Sequence, residues 1–271
     1  GITKFYGQYC VFDDVSLDVG AGSVIGVVDH EGYAILELVN MLSGQHGPDS
    51  GQIRVNGQRL TWKFRPQQHG VGIIYRDPKL IQSLDIASHI FLGNEPKPAQ
   101  LFARWLNLHD PYHILSDAER LLSQLNFNLP PAQTPISDLS IEQRQLVAIA
   151  QLIVQSPGLV VVDHPGRTLS LPYQEQVLEH IRQWRTEGKT TILGTSNLDT
   201  LFAVCDRIIV LRSGRIVLDS PVDQVNREAV VAALVSERQQ GQVTPLIWAL
   251  DTYYQALRQS QLLRHNQELL E

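Results

Sequence analysis

Cysteine is scarce in this sequence. Cys10 and Cys205 are its only two cysteines, and they lie far apart without the spacing of a metal cluster. We therefore expect reduced packing thiols in a cytosolic protein rather than a disulfide framework. Methionine is scarcer still, since Met41 is the only one. This predicts an amino terminus that was processed, truncated or left out.

Positive charge is also limited. The chain has 22 lysine and arginine residues against 28 aspartate and glutamate residues, a formal net charge of −6. It therefore offers no basic face to attract nucleic acid, and no nucleic-acid partner is expected. No stretch reaches the roughly 18 consecutive apolar residues of a membrane-spanning helix, and the start lacks a signal-peptide pattern. Any membrane contact is expected to come through other proteins.

The pattern that is present near the start is strand, glycine-containing turn, helix. Strands are predicted over Val11–Val19 and Val24–Val28. After Gly32 the apolar residues change to helical spacing, and Gly44 is placed to end the helix. The apolar positions of this helix are Ile35, Leu38, Val39 and Leu42. This order of elements is the setting of a phosphate-binding loop.

The rest of the chain divides into three further parts. The first part of the α/β core is predicted over 1–76 and is followed by a helical part over 77–156. The second part of the core is predicted over 157–238, and a linker with an amphipathic helix over 239–271. Within the second core part the predicted elements are a buried strand at Leu159–Val162, a helix at Pro172–Trp184, a strand at Thr190–Leu193 and a hairpin at Asp206–Leu218.

An ordered set of short motifs extends over residues 1 to about 238. The motifs are Lys4-Phe5-Tyr6-Gly7, Asp13-Asp14-Val15-Ser16-Leu17, Asp49-Ser50-Gly51-Gln52-Ile53, His89-Ile90-Phe91-Leu92-Gly93, Asp138-Leu139-Ser140-Ile141-Glu142-Gln143-Arg144-Gln145 and Leu211-Arg212-Ser213-Gly214-Arg215. In this order and spacing they resemble the nucleotide-binding domain of ABC transporters, and most of all the first cassette of monosaccharide-import ATPases. The resemblance implies an α/β fold: a P-loop NTPase-like ABC cassette with a mixed sheet core, an antiparallel β part and an inserted helical subdomain.

The phosphate loop departs from the family's pattern, G-x-x-x-x-G-K-[ST]. Asp29 and Ala34 replace its two glycines. Ile35 stands at the position of the lysine, and Leu36 at the position of the residue whose hydroxyl binds Mg²⁺. Only Gly32, at a position where glycine is common in the family, still matches. One pair of like charges 4 Å apart costs roughly 4 kcal/mol at an effective dielectric of 20. The loop is therefore predicted not to bind ATP tightly, and Ile35 to extend the apolar stripe of its helix.

The other catalytic positions that the resemblance implies are altered too. Asp163 is retained at the end of its strand, where the family holds Mg²⁺, so it is a metal ligand only if nucleotide binds. His164 follows where the family has a general-base glutamate, Arg76 replaces the metal-reaching glutamine, and Ser196 replaces the switch histidine. No catalytic residue, metal or cofactor is therefore expected; ATP and Mg²⁺ would be cofactors only if residual binding survives.

Four residues remain candidates for nucleotide contact, namely Gly32, Tyr6, Ser140 and Gln143. Ser140 and Gln143 belong to the signature motif, which in the family completes a partner's ATP site. Glu142 lies between them and is expected to repel a phosphate. Tyr6 would stack on adenine in the family, but an ordinary half-buried tyrosine fits equally well.

The leading hypothesis is a catalytically silent subunit, cytoplasmic and peripheral at the inner face of the membrane. Its partners, implied by the resemblance, are a second, intact cassette on a separate chain and a membrane permease. A scaffold or regulatory protein without a transporter is one alternative. A weak ATPase using His164 is another. A further hypothesis places a different ligand where His30, Tyr33 and Arg76 converge.

Overall fold

The computed structural model describes residues 1–29, 32–94 and 111–235. The strands are β1 (Ile2–Tyr6), β2 (Tyr9–Val15), β3 (Val24–Asp29), β4 (Arg54–Val55), β5 (Gln58–Arg59), β6 (Val71–Ile74), β7 (Leu159–Asp163), β8 (Thr190–Gly194), β9 (Arg207–Arg212) and β10 (Arg215–Pro221). The α-helices are α1 (Tyr33–Leu42), α2 (Ile86–Ile90), α3 (Pro111–Leu125), α4 (Ile141–Gln155), α5 (Leu171–Thr186), α6 (Leu198–Val204) and α7 (Arg227–Leu234).

A six-stranded mixed sheet forms the centre, with the strand order β10-β9-β3-β8-β7-β6. The pairs from β9 through β6 are parallel, whereas β9 and β10 form an antiparallel hairpin. Its turn is Ser213-Gly214, both with positive φ angles, as the sequence predicts. Two-stranded ribbons, β1-β2 and β4-β5, are separate from this sheet. This mixed α/β architecture confirms the predicted fold class.

The sheet separates two apolar clusters. On one side, α1 and β2 pack against β3, and this cluster includes Phe12, Ile25 and Ile35. On the other side, α4 and α5 contribute Leu146 and Ile181 to a larger cluster. Residues of the central strands alternate between the two sides, which explains their continuous apolar runs.

The strand register brings the functional positions to one edge. Gly194 at the end of β8 is paired with Val27 on β3 and with Asp163 on β7. The carboxyl ends of these parallel strands therefore meet beside the amino terminus of α1. This is the edge of an open α/β sheet where ligands commonly bind.

Several predicted boundaries differ from the structure. The strand predicted over Val11–Val19 begins at Tyr9 and ends at Val15. The helical part over 77–156 holds α2, α3 and α4, but residues 77–85 and most of 126–140 are not helical. Six short strands and α-helices of the described chain were not predicted, namely β1, β4, β5, β6, α6 and α7. Elements of two to eight residues have little local periodicity, and packing against the rest of the fold decides their structure. The predicted tail over 239–271 lies outside the described residues.

Candidate functional site

The amino terminus of α1 is occupied by a carboxylate of the same chain. Gly32 precedes the helix with a φ angle of 73°, a left-handed conformation that favours glycine. The backbone N–H of Ala34 donates a hydrogen bond of 2.8 Å to the carboxylate of Asp29. A helix amino terminus attracts negative charge through its free N–H groups and its dipole. Asp29 therefore supplies an anion at the position where a phosphate-binding loop receives its ligand.

Ile35 lies in the core rather than in the loop. Its side chain is only 1% exposed and belongs to the apolar cluster beneath α1, which confirms that it extends the apolar stripe of the helix. It also packs closely on β8, because a Cβ atom added to Gly194 would lie 2.2 Å from Ile35 Cγ1. Leu36, the next residue, is 39% exposed. Neither side chain can supply the charge or the hydroxyl of an active phosphate loop.

Arg76, Asp163 and His164 form one cluster at the same edge of the sheet. Arg76 Nη2 donates to Asp163 Oδ1 at 3.2 Å and lies 3.1 Å from His164 Nδ1. His164 Nδ1 is also 2.7 Å from Asp163 Oδ1. Asp163 is buried, whereas the Arg76 side chain is 23% exposed. The structure therefore brings together the retained Asp163 and two of the altered catalytic positions, Arg76 and His164.

This cluster lies beside the loop before α1. A Cβ atom added to Gly32 would lie 3.9 Å from Arg76 Nη2. The Arg76 guanidinium, a permanent positive charge 3.2 Å from Asp163 Oδ1, offsets the cost of burying that carboxylate. Across residues 1–29, 32–94 and 111–235, no group of three or more histidine, cysteine, aspartate or glutamate side chains is arranged to hold a metal ion.

Ser196 lies apart from the charged cluster, just after β8. It is exposed and lines a small pocket of about 180 Å³ together with His164, Gln174 and Thr200. Asn197, the next residue, accepts a hydrogen bond from the backbone N–H of Thr200 and so caps α6. Ser196, the remaining altered position outside the phosphate loop, thus shares a pocket with His164.

The signature motif forms the start of α4. Ser140 and Gln143 make a reciprocal capping box: Gln143 N–H donates to Ser140 Oγ at 3.2 Å, and Ser140 N–H donates to Gln143 Oε1 at 2.9 Å. Glu142 Oε1 accepts a hydrogen bond of 2.6 Å from the backbone N–H of Ser170, before α5. All three side chains are therefore engaged in holding helix starts within this chain.

Tyr6 is hydrogen-bonded to a buried acid. Its hydroxyl donates to Glu37 Oε2 at 3.0 Å and lies 3.2 Å from His46 Nε2. Glu37 is only 4% exposed, although half of the Tyr6 residue is in contact with solvent. Partial burial, together with the hydrogen bond and negative charge of Glu37, raises the pKa of Tyr6 to about 12. The phenol is therefore held in its protonated, donating form.

Tyr6 and Glu37 line an open depression of about 730 Å³ on the α1 side of the sheet. Tyr9, Tyr33, Leu36, Asn40 and Val11 complete its lining. Tyr9 and Glu37 were not among the predicted site residues. A usable signal for Glu37 was its place as an acidic residue within the apolar stripe of α1. Tyr33 packs against Tyr9, whereas Arg76 contacts Asp163 and His164, so these two members of the predicted ligand cluster have different partners. His30, the third member, lies outside the described residues.

The sequence matches the pattern of the ABC transporter family over residues 12–167. The chain is 27% identical to the ribose import ATP-binding protein RbsA of Caldanaerobacter subterraneus, over 87% of this chain and 46% of that protein. It is 30% identical to the arabinose import ATP-binding protein AraG 2 of Burkholderia thailandensis, over 87% of this chain and 44% of that protein. The chain thus spans about half the length of these curated relatives. The xylose/arabinose import ATP-binding protein XylG of Sulfolobus acidocaldarius is 27% identical, with 92% of its length covered.

Solved structures of ATP-binding cassettes have the same fold. A dimeric post-hydrolysis cassette bound to ADP and Pi, MJ0796, superposes with a TM-score of 0.69 at 19% identity, covering 82% of this chain and 96% of that one. A nucleotide-free cassette from an ABC transporter gives 0.67 at 18% identity, covering 87% and 97%. None of the helices in the described part of this chain combines the length and apolar character needed to cross a bilayer.

Proposed function

This chain belongs to the ABC transporter family, and from that premise we propose that it is a degenerate ATP-binding subunit that does not hydrolyse ATP. It acts as a silent partner of an intact cassette and a membrane permease, at the inner face of the membrane. The import of a sugar is proposed because the curated relatives carry that activity in their names. The proposal rests on the changes around α1 and not on the overall fold, which active cassettes share.

The observation that carries the proposal is the hydrogen bond from Ala34 N–H to Asp29. A triphosphate entering the loop would have to displace this carboxylate or approach it closely. Each approach of two unit charges to 4 Å costs about 4 kcal/mol at an effective dielectric of 20. No lysine offsets that cost, since Ile35 stands at the lysine position with its side chain in the core.

The surroundings of Asp163 support the same proposal. Its carboxylate is paired with the Arg76 guanidinium, so a metal ion at this carboxylate would meet a positive charge already in place. Leu36 offers no oxygen ligand, and oxygen ligands are what Mg²⁺ requires. These residues do not fit a magnesium–triphosphate complex, and no hydrolytic step is assigned to His164.

The signature motif supports a structural role at the start of α4. Ser140 and Gln143 satisfy each other's backbone N–H groups, and Glu142 ties α4 to the start of α5. A cassette that contributes its fold and a dimerisation surface needs this rigidity whether or not it contacts nucleotide. The same contacts place a carboxylate within a motif that would face a partner's phosphate.

The test is titration of the purified chain with Mg²⁺–ATP by isothermal calorimetry. We expect no saturable heat from the unmodified chain. The combined variant Asp29→Gly, Ala34→Gly, Ile35→Lys, Leu36→Ser and Arg76→Gln restores the family's phosphate loop and its metal-reaching glutamine. It is the reference for binding, provided that its circular dichroism spectrum matches that of the unmodified chain. Micromolar binding or ATP turnover by the unmodified chain would overturn the proposal and favour the residual ATPase.

The partnership is tested separately by affinity purification of the tagged chain from its source membranes. Co-purification of an intact cassette together with a permease is the expected result. Recovery without either of them, from membranes in which both are detected, would favour the alternative of a scaffold protein that works outside a transporter.

A further inference from the structure

Three tyrosines line the depression on the α1 side. Tyr6, Tyr9 and Tyr33 line it, with exposed fractions of 51%, 42% and 52%. The rings of Tyr9 and Tyr33 meet edge to face, with centroids 5.6 Å apart. This arrangement holds two rings at a steep angle to each other beside one open space. A volume of about 730 Å³ falls in the range of small-molecule sites.

A buried carboxylate lies at the base of this depression. Glu37 is 4% exposed, and its Oε2 accepts the hydrogen bond from Tyr6. Its Oε1 is buried and forms no hydrogen bond with any described residue; it lies 3.4 Å from His46 Nδ1, a partner that is charged only when protonated. A buried carboxylate oxygen without a hydrogen bond costs free energy unless a donor or a positive charge approaches it.

The charge of Glu37 is not matched by a lysine or an arginine. Among the described residues, neither type forms an ion pair with Glu37. Lys4 Nζ lies 5.4 Å from the centre of the Tyr6 ring, but it is paired with Asp49 at 2.9 Å. The depression therefore has a net negative charge at its base and aromatic walls, which is unfavourable for an anion such as a nucleotide.

From this geometry we propose that the depression lined by Tyr6, Tyr9, Tyr33 and Glu37 is a binding site for a small organic cation. Aromatic faces attract ammonium groups through their quadrupole, and aromatic cages recognise quaternary ammonium ligands in this way. The Glu37 carboxylate supplies the opposite charge, and Leu36 with Val11 supplies apolar contact for methyl groups. The ligand class is a methylated or alkylated amine. This inference does not depend on whether the chain is catalytically silent.

The first experiment compares two probes of the same shape by isothermal calorimetry on the purified chain. Choline carries a quaternary ammonium group, and 3,3-dimethyl-1-butanol has a carbon in place of the charged nitrogen. We expect saturable binding of choline and binding of the neutral alcohol that is weaker by about tenfold or more. Equal binding of both probes would identify a plain apolar pocket and overturn the proposal, as would the absence of choline binding at millimolar concentrations.

Variants then test whether choline binds in this depression. Glu37→Gln retains an acceptor for Tyr6 but removes the charge, and we expect it to weaken choline binding by about tenfold. The matched control is Glu179→Gln, which makes the same charge change at an exposed side chain on α5 and should bind choline as the unmodified chain does. Tyr33→Ala is a second test at an exposed position. Unchanged choline affinity in both Glu37→Gln and Tyr33→Ala would reject this site.

Discussion

The guanidinium of Arg76 lies 3.2 Å from the carboxylate of Asp163, with the imidazole of His164 in contact with both. Asp163 is 1% exposed, so its charge depends on a partner inside the protein. Arg76, which replaces a family residue, and Asp163, which is retained, are therefore one compensated pair in the structure. We expect this pair to contribute to stability.

Arg76→Gln should reduce the free energy of unfolding by about 3 kcal/mol, because it removes the permanent positive charge paired with the buried Asp163 carboxylate. Urea denaturation followed by circular dichroism measures this change. The double variant Arg76→Gln with Asp163→Asn should recover part of the loss, since no unpaired charge remains. The control is Arg182→Gln, which removes an exposed ion pair with Glu179 and should cost less than about 1 kcal/mol. Equal effects of the two arginine variants would contradict the pairing.

Asp29→Ala should destabilise the chain by about 1 kcal/mol, because the Ala34 N–H at the start of α1 loses its acceptor. Asp29→Asn keeps an oxygen in reach of that N–H and should cost less. Thermal unfolding of the three proteins under one buffer condition makes the comparison. If alanine and asparagine are equally destabilising, the hydrogen bond between Asp29 and Ala34 is not what holds this loop.

Ile35→Lys alone should not restore ATP binding and should lower the free energy of unfolding by about 2 kcal/mol, the apolar burial that Ile35 contributes. Asp29, Ala34, Leu36 and Arg76 would all remain unsuited to a triphosphate. Ile35→Met is the control, since it keeps the site apolar with a similar volume and should cost less than about 1.5 kcal/mol. Calorimetry with Mg²⁺–ATP and urea denaturation test both parts, and ATP binding by Ile35→Lys would contradict the first.

His89 is expected to make the chain less stable in mild acid. Its ring is buried on α2, where Nε2 accepts a hydrogen bond from Ile81 N–H and Nδ1 has no hydrogen-bond partner within the described part of the chain. Burial lowers the pKa of His89 in the folded chain. The unfolded chain therefore binds the proton more readily, so stability is complete above the ordinary histidine pKa of about 6.5 and declines as pH falls through and below it.

His89→Gln keeps an acceptor for Ile81 N–H but cannot be protonated. The loss of unfolding free energy between pH 7 and pH 5 should therefore be smaller in this variant than in the unmodified chain, as measured by urea denaturation at both values. An unchanged pH dependence would mean that other groups, such as the partly buried His180, dominate this range.

The sequence was sufficient for features that depend on neighbouring residues. The apolar spacing around Ile35 and the run ending at Asp163 predicted α1 and β7 correctly, because local periodicity determines such elements. The relationships that define the site were not predictable in the same way. Arg76 and Asp163 are 87 positions apart, and Tyr6 and Glu37 are 31 positions apart. Only the packing of the sheet and its helices brings these side chains together.

The contact between Glu142 and Ser170 shows the same limit. The sequence indicates that a carboxylate stands in the signature motif, and from charge alone we expected it to repel a phosphate. The structure adds that this carboxylate accepts the backbone N–H of Ser170, 28 positions further on. The direction in which the Glu142 side chain points depends on where α5 begins, and the sequence predicts that position only to within a residue or two.

The close packing of Ile35 on Gly194 makes it costly to replace Ile35 by the lysine of the family's phosphate loop. The space beside β8 has the shape of a branched apolar side chain, since a Cβ atom at 194 would be 2.2 Å from Ile35 Cγ1. A lysine introduced at position 35 loses this fit. The other altered residues, Asp29, Ala34, Leu36 and Arg76, would still be unsuited to a phosphate. We therefore expect Ile35→Lys, made alone, to lower stability without restoring ATP binding. Under the proposed function, return to an active loop through position 35 needs several simultaneous changes, an epistatic constraint set by the packing on Gly194.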